Sequence, residues 1–346
     1  MASTNNRVRI STEFLDSCKF SCAGCFVKRR NEFSDKDMDV LFEAVQMFRS
    51  VGMSFDEIIL GPTDFFGASN TESVIEHPTF KKIFENGDVV LTILTTLQET
   101  DERILELIEC VNRNLTHPDT EMEVLIPFDI KRLVAKDPFY VMDLKRKIQM
   151  LNRLNPTVDY AMQINIHDVD QMVDKFSLPE LTRYVRDTFK TIVEFNPSFM
   201  RSKKANIVTK VLGEWNAMLE RHVDELAAED ITFTMVNENH ANHNELTFNF
   251  KDGHLYICPF IYENVIDLSD VFKIEKNGEY YTIDDIDTKN AQVMATQYEY
   301  ASSVECADCD FQGSCIGKRV LYYMGAYDIT KCVVSKPVMA YYGAKQ

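Results

Sequence analysis

Six short apolar or β-branched runs, separated by helical patterns, constrain the fold of this 346-residue chain more than any other feature. The runs cover 8–11, 57–60, 89–94, 122–126, 160–166 and 191–195. Between the first two, Ser34 is a candidate N-cap before Asp35. Met38, Leu41, Val45 and Phe48 then recur at helical spacing, and Gly52 lies just past the end. Ile104, Leu107, Ile108 and Val111 repeat the pattern, and further helices are expected near 138–151, 181–189 and 208–226. Strands alternating with helices argue for parallel βα units. Six of them predict an α/β fold, a (β/α)6 partial TIM barrel, with functional groups on loops at the C-terminal strand ends.

From about Ile231 the pattern changes to short alternating runs, ITFTMVN, ELTFNF and HLYICPF. The last two flank Lys251-Asp252-Gly253, and Asp-Gly between such runs is a strong hairpin signal. The expectation is a barrel core over 1–228 and a small α+β, cysteine-rich module over 229–346.

Bulk properties narrow the class. An apolar fraction of 45% supports a globular core. No apolar run approaches the roughly 20 residues that span a bilayer, and MASTNNRVRISTEF has no apolar core of a secretory signal. A cytoplasmic protein with reduced or metal-bound thiols is therefore expected. A net charge of −17 argues against nucleic acid and anionic membranes as partners. One basic run, Lys28-Arg29-Arg30, is either a solvated loop flank or a docking point for an acidic substrate or electron donor.

The loop after the first run holds the chemistry-bearing residues. CKFSCAGC places Cys18, Cys22 and Cys25 in a C-x3-C-x2-C spacing, followed at once by Phe26. Three thiolates this close can ligate three irons of a cubane. Protein clusters usually have four cysteine ligands, so one iron would stay open for chemistry. The alternative is a zinc knuckle, but zinc wants a fourth Cys or His nearby, and the first histidine is His77.

This spacing resembles the signature of the radical S-adenosylmethionine (SAM) enzymes. The resemblance implies a [4Fe–4S] cluster whose open iron is chelated by SAM. It also implies reductive cleavage of SAM to a 5′-deoxyadenosyl radical, with reduced flavodoxin or ferredoxin as electron donor.

A second constellation, Cys306, Cys309 and Cys315 in C-x2-C-x5-C with Cys332 beyond, supplies four thiolates. Four can close a cluster completely, which suits electron relay or structural clamping; a zinc ribbon is the alternative. DGHLYICPF followed by CADCDFQGSC resembles the SPASM/twitch extension of radical SAM enzymes. Arg319 stands where that pattern has a further cysteine, and Cys258 has no partner before Cys306. The resemblance therefore implies one auxiliary [4Fe–4S] cluster held by Cys306, Cys309, Cys315 and Cys332. Cys258 is then a leftover thiol or an alternative ligand, and Cys110 reads as core.

The same resemblance points to strand ends for SAM. Where the family commonly has Gly-Gly-Glu, this chain has Gly61-Pro62-Thr63-Asp64; Pro62 removes a backbone donor, leaving Gly61, Thr63 and Asp64. Thr95 and Thr96 end the third run as hydroxyl donors, Gln163 and Asn165 alternate to one face of the fifth, and Asn196 ends the sixth. With Phe26 these make the candidate SAM-binding set. Candidate acid/base groups are Asp129 at the fourth run's end and the pair His240 and His243, a solvated polar loop being the plainer reading of the pair.

The expected activity is hydrogen abstraction from a substrate by the SAM-derived radical, and the SPASM/twitch resemblance favours a peptide or protein side chain. Only residues 1–17 precede Cys18, without room for an N-terminal leader-binding domain. A separate peptide-recognition protein, or a small-molecule or cofactor-precursor substrate, therefore remains in play. A non-catalytic metal-binding protein would need four ligands at each site, and a nucleic-acid-modifying enzyme a broad basic groove.

Overall fold

The computed structural model describes residues 7–16, 34–50, 52–61, 63–128, 132–133, 137–154, 158–165, 178–190, 192–196, 217, 220–222, 224–225, 232–233, 245–256, 274–277 and 280–283. Within them the chain runs β1 (Arg7–Glu13), α1 (Asp35–Ser50), β2 (Ser54–Gly61), α2 (Thr71–Glu76), α3 (Pro78–Ile83), β3 (Val90–Leu94), α4 (Asp101–Asn114) and β4 (Met122–Leu125). It continues with α5 (Pro138–Leu154), β5 (Val158–Asn165), α6 (Leu178–Phe189), β6 (Ile192–Asn196), β7 (Thr232–Phe233), β8 (Glu245–Lys251), β9 (His254–Tyr256), β10 (Ile274–Asn277) and β11 (Tyr280–Ile283).

The first nine strands form one sheet in the order β7-β6-β5-β4-β3-β2-β1-β8-β9, and β10 and β11 form a separate antiparallel pair. Every pairing from β7 to β8 is parallel, and only β9 runs antiparallel. The fold is thus α/β with a mostly parallel sheet. Sequential order over β6 to β1 is what repeated βα units produce when each crossover returns the chain beside the strand it left.

Local signals account for the elements. Ser34 Oγ accepts from the Asp37 amide at 3.3 Å and donates to Asp37 Oδ2 at 2.8 Å, starting α1. Gly52, with φ +79, ends it in the left-handed conformation that costs glycine least. Asp252 and Gly253, at φ +49 and +74, turn β8 into β9 with both central residues left-handed. That is the geometry Asp-Gly favours in a two-residue hairpin. Most of the helix expected near 208–226 lies outside the described residues.

The sheet has two chemically different faces. Val8, Ile10, Phe55, Ile58, Leu60, Leu91, Ile93, Val124, Phe248 and Phe250 are all buried and share the face covered by helices. Phe48 of α1 stacks on Phe248 at 5.5 Å, and the Arg49 guanidinium lies over the Phe55 ring. The opposite face carries Arg9, Glu13, Glu57, Thr92, Glu123 and Asn249 at alternate positions. Because β8 pairs with β1 over Arg7 to Thr12, the hairpin beyond residue 230 is hydrogen-bonded into the main sheet.

Candidate functional site

The C-terminal ends of β1, β2 and β3 lie side by side, and their connections knit into one rim. Asp64, three residues past β2, is its centre. It is 8% exposed, and both carboxylate oxygens accept hydrogen bonds. Oδ1 takes the Phe66 amide at 3.1 Å and the Gly67 amide at 2.9 Å. Oδ2 takes the Thr96 amide at 2.5 Å and the Thr96 hydroxyl at 2.8 Å, and the Thr95 hydroxyl reaches both oxygens at 3.2 and 3.3 Å. Burial pushes the Asp64 carboxyl above its ordinary range, while the bonds from Thr96, Gly67 and Thr95 pull it back. Donors arranged this way fit a carboxylate whose charge is spread over five groups.

Asp64, Thr95 and Thr96, read from sequence as separate contacts for SAM, are thus brought together and bonded to one another. Thr63 differs. It is 4% exposed, and its buried hydroxyl has no hydrogen-bond partner among the described residues, a costly state for a polar atom unless a bound group completes it. Gly61 ends β2 opposite Glu13, and a Cβ there would meet only Leu94 Cδ1 at 3.5 Å and the Thr12 carbonyl at 3.7 Å, both ordinary contacts.

The β3–α4 connection is braced from behind. Leu97 adopts φ +52, uncommon for a branched residue, and its amide donates to Thr95 Oγ1 at 3.0 Å. Lys147 of α5, 5% exposed, donates to the carbonyls of Leu97 at 2.9 Å and Glu99 at 2.7 Å and pairs with Asp143. The Thr100 side chain accepts from the Arg103 amide and starts α4 immediately afterwards.

The stem of the cysteine loop joins the same rim. The Leu15 amide donates to the Gly61 carbonyl at 3.2 Å. Asn70 spans the stem: its Nδ2 donates to the Phe14 carbonyl at 2.8 Å, and its Oδ1 accepts from the Asp16 amide at 2.9 Å. Asp16 in turn accepts from the Ser69 amide at 2.8 Å and from the Ser69 hydroxyl.

On the polar face, Glu13 is 4% exposed at the end of β1, accepts from Asn249 Nδ2 at 3.0 Å and lies 3.9 Å from Lys251 Nζ. Deeper along the strands, Glu57 pairs with Arg9 and accepts from Thr92 at 2.5 Å.

Sequence reasoning did not single out Glu13, Asp16, Glu57, Ser69, Asn70, Lys147 or Asn249. The polar positions alternating within RVRISTE and TFNFK carried a signal for Glu13 and Asn249; Asp16 and Asn70, 54 residues apart, carried none. Cys18, Cys22, Cys25, Phe26, Asp129, His240, His243, Cys258, Cys306, Cys309, Cys315 and Cys332 lie outside the described residues. Gln163, Asn165 and Asn196 fall in β5 and β6, with Gln163 paired to Glu194 and Asn165 to Asn196 in the backbone register. Cys110 is a buried free thiol on α4, as expected of a core residue. Among the described residues no helix is long and apolar enough to cross a membrane.

No protein-family model matches this chain, and no curated protein matches it. Solved structures do. The chain superposes on a histidine-tagged form of anSMEcpe with bound AdoMet at a TM-score of 0.55 and 12% identity, covering 98% of this chain and 97% of that one. Native anSMEcpe with bound AdoMet and Kp18Cys peptide gives 0.54 and 12% identity, covering 98% of each chain. At such identity the likeness is one of fold.

Proposed function

We propose that this chain is a radical SAM enzyme, with Cys18, Cys22 and Cys25 holding a [4Fe–4S] cluster whose fourth iron is left for SAM. The observation that carries this reading is the three-thiolate segment that follows β1 in sequence, in a chain whose mostly parallel α/β fold superposes on an AdoMet-bound protein. The donor set fits the groups: three soft thiolates for iron, and at the neighbouring strand ends the orphan Thr63 hydroxyl for a polar ligand. When bound and reduced, cluster and SAM supply a 5′-deoxyadenosyl radical that takes hydrogen from substrate.

The chain's own residues bind and orient. Thr63 offers its hydroxyl at the end of β2, and Gly61 keeps a side chain from narrowing that corner. Asp64, with its oxygens already engaged, holds Thr95 and Thr96 in place, so these three shape the rim more than they supply free ligands. Phe26, Gln163, Asn165 and Asn196 complete the proposed SAM-binding set, and Asp129, His240 and His243 are the proposed proton-handling groups. Cys306, Cys309, Cys315 and Cys332 are proposed to hold an auxiliary cluster in a SPASM/twitch-like module.

The substrate we favour is a peptide or protein side chain. Support comes from the SPASM/twitch resemblance and from a structural neighbour with both AdoMet and a peptide bound. Anaerobically reconstituted protein with dithionite and SAM should release 5′-deoxyadenosine, and replacing all three N-terminal cysteines with Ala should abolish the release. Persistence of SAM cleavage in that triple variant would refute the reading.

A further inference from the structure

We infer that Asn70 is a positioning residue that fixes where the cysteine loop leaves the sheet; this rests on the reading that the loop carries the catalytic cluster. Asn70 stands at the N-cap of α2, the position where an asparagine side chain ordinarily accepts from the helix's first amides. Here it makes no capping bond. Both ends of its amide are turned instead onto the stem, donating to Phe14 O and accepting from Asp16 N. The bracket leaves Leu15 between its two points, and Leu15 is itself tied to Gly61. The adjacent residue closes the clasp from the other side, because Ser69 donates to Asp16.

Gly61, Ser69 and Asn70, at the two ends of one connection, are thereby locked to the residues that lead into Ser17 and Cys18. The same connection carries Thr63 and Asp64. A single loop thus sets the exit of the thiolate segment and the orientation of the proposed SAM corner, and Asn70 couples the two. A side chain with both a donor and an acceptor is needed at this position, which Ala, Leu and Asp do not provide.

The experiment compares wild type, Asn70→Ala, Asp16→Asn and Arg49→Ala. Arg49 bonds Ile83 O and Asp88 at the far end of α1, so its variant reports general destabilisation. Hydrogen exchange in the cluster-free protein should lose protection at the Leu15 and Asp16 amides in Asn70→Ala but not in Arg49→Ala. In reconstituted protein, iron release to a chelator should quicken by about tenfold in Asn70→Ala, the scale of one lost pair of half-buried hydrogen bonds. Asp16→Asn, which keeps an acceptor for the Ser69 amide, should fall between it and wild type. Unchanged exchange at Leu15 and Asp16, or release rates that track melting temperature equally in Asn70→Ala and Arg49→Ala, would overturn the inference. If wild type assembles no cluster, the underlying reading fails, while the exchange result still decides whether Asn70 holds the stem.

Discussion

The two faces of the main sheet use the same strands for opposite ends. Toward the helices, Val8, Ile10, Ile58, Leu91 and Phe248 are apolar and fully or almost fully buried. One residue along each strand, Arg9, Glu57, Thr92 and Asn249 point the other way and bond one another or their neighbours. The first face supplies cohesion through area removed from water. The second supplies directed hydrogen bonds in surroundings where an unmet partner is costly. A one-residue slip of β1 would exchange the two, so the alternation also fixes register. At the C-terminal rim the polar pattern continues into Asp64, Asn70 and Lys147, where the proposed chemistry lies.

The comparison predicts a graded separation between stability and ligand binding. Phe248→Ala should cost about 3–5 kcal/mol in denaturant unfolding, because it opens a cavity under Phe48. The affinity of the folded fraction for SAM should stay near wild type, and a large loss of affinity would blur the division between faces. Asp64→Leu should cost about 3 kcal/mol by stranding the amides of Phe66, Gly67 and Thr96. Unlike the Phe248 change, it should weaken SAM binding measured anaerobically by equilibrium dialysis. Asn249→Leu should cost about 2 kcal/mol, since it removes a donor from the buried Glu13 carboxylate. Arg146→Ala, at an exposed pair with Asp101, should cost only about 0.5 kcal/mol.

Asp64 also gives a pH signature. Its carboxyl is raised above 3.8 by burial, so the folded state binds this proton more readily than the unfolded state. The stability it contributes is full below 3.8 and is lost as pH rises through the raised value. Wild type should therefore gain on Asp64→Asn as pH falls through that window, read as a widening difference in melting temperature. A difference that narrows on acidification would contradict the account of Asp64.

Much of this fold was legible because its signals are local. Short apolar or β-branched runs marked β1 to β6, Ser34 and Gly52 bounded α1, and Asp-Gly gave the β8–β9 turn. The pairing of β8 with β1 was not legible, since strand partners far apart in sequence are chosen by tertiary packing. The site divides in the same way. Asp64, Thr95 and Thr96 were visible as polar strand ends, but their bonding to one another depends on β2 and β3 lying adjacent. Asn70 carried no signal in the sequence, and only the fold reveals that its amide serves the stem of another loop.

The most direct test of the central claim is low-temperature electron paramagnetic resonance of the reduced Cys306→Ala protein, with and without SAM. The account predicts a [4Fe–4S] signal held by Cys18, Cys22 and Cys25 that changes in shape when SAM is added. A signal indifferent to SAM, or no cluster at all in anaerobically reconstituted protein, would contradict it.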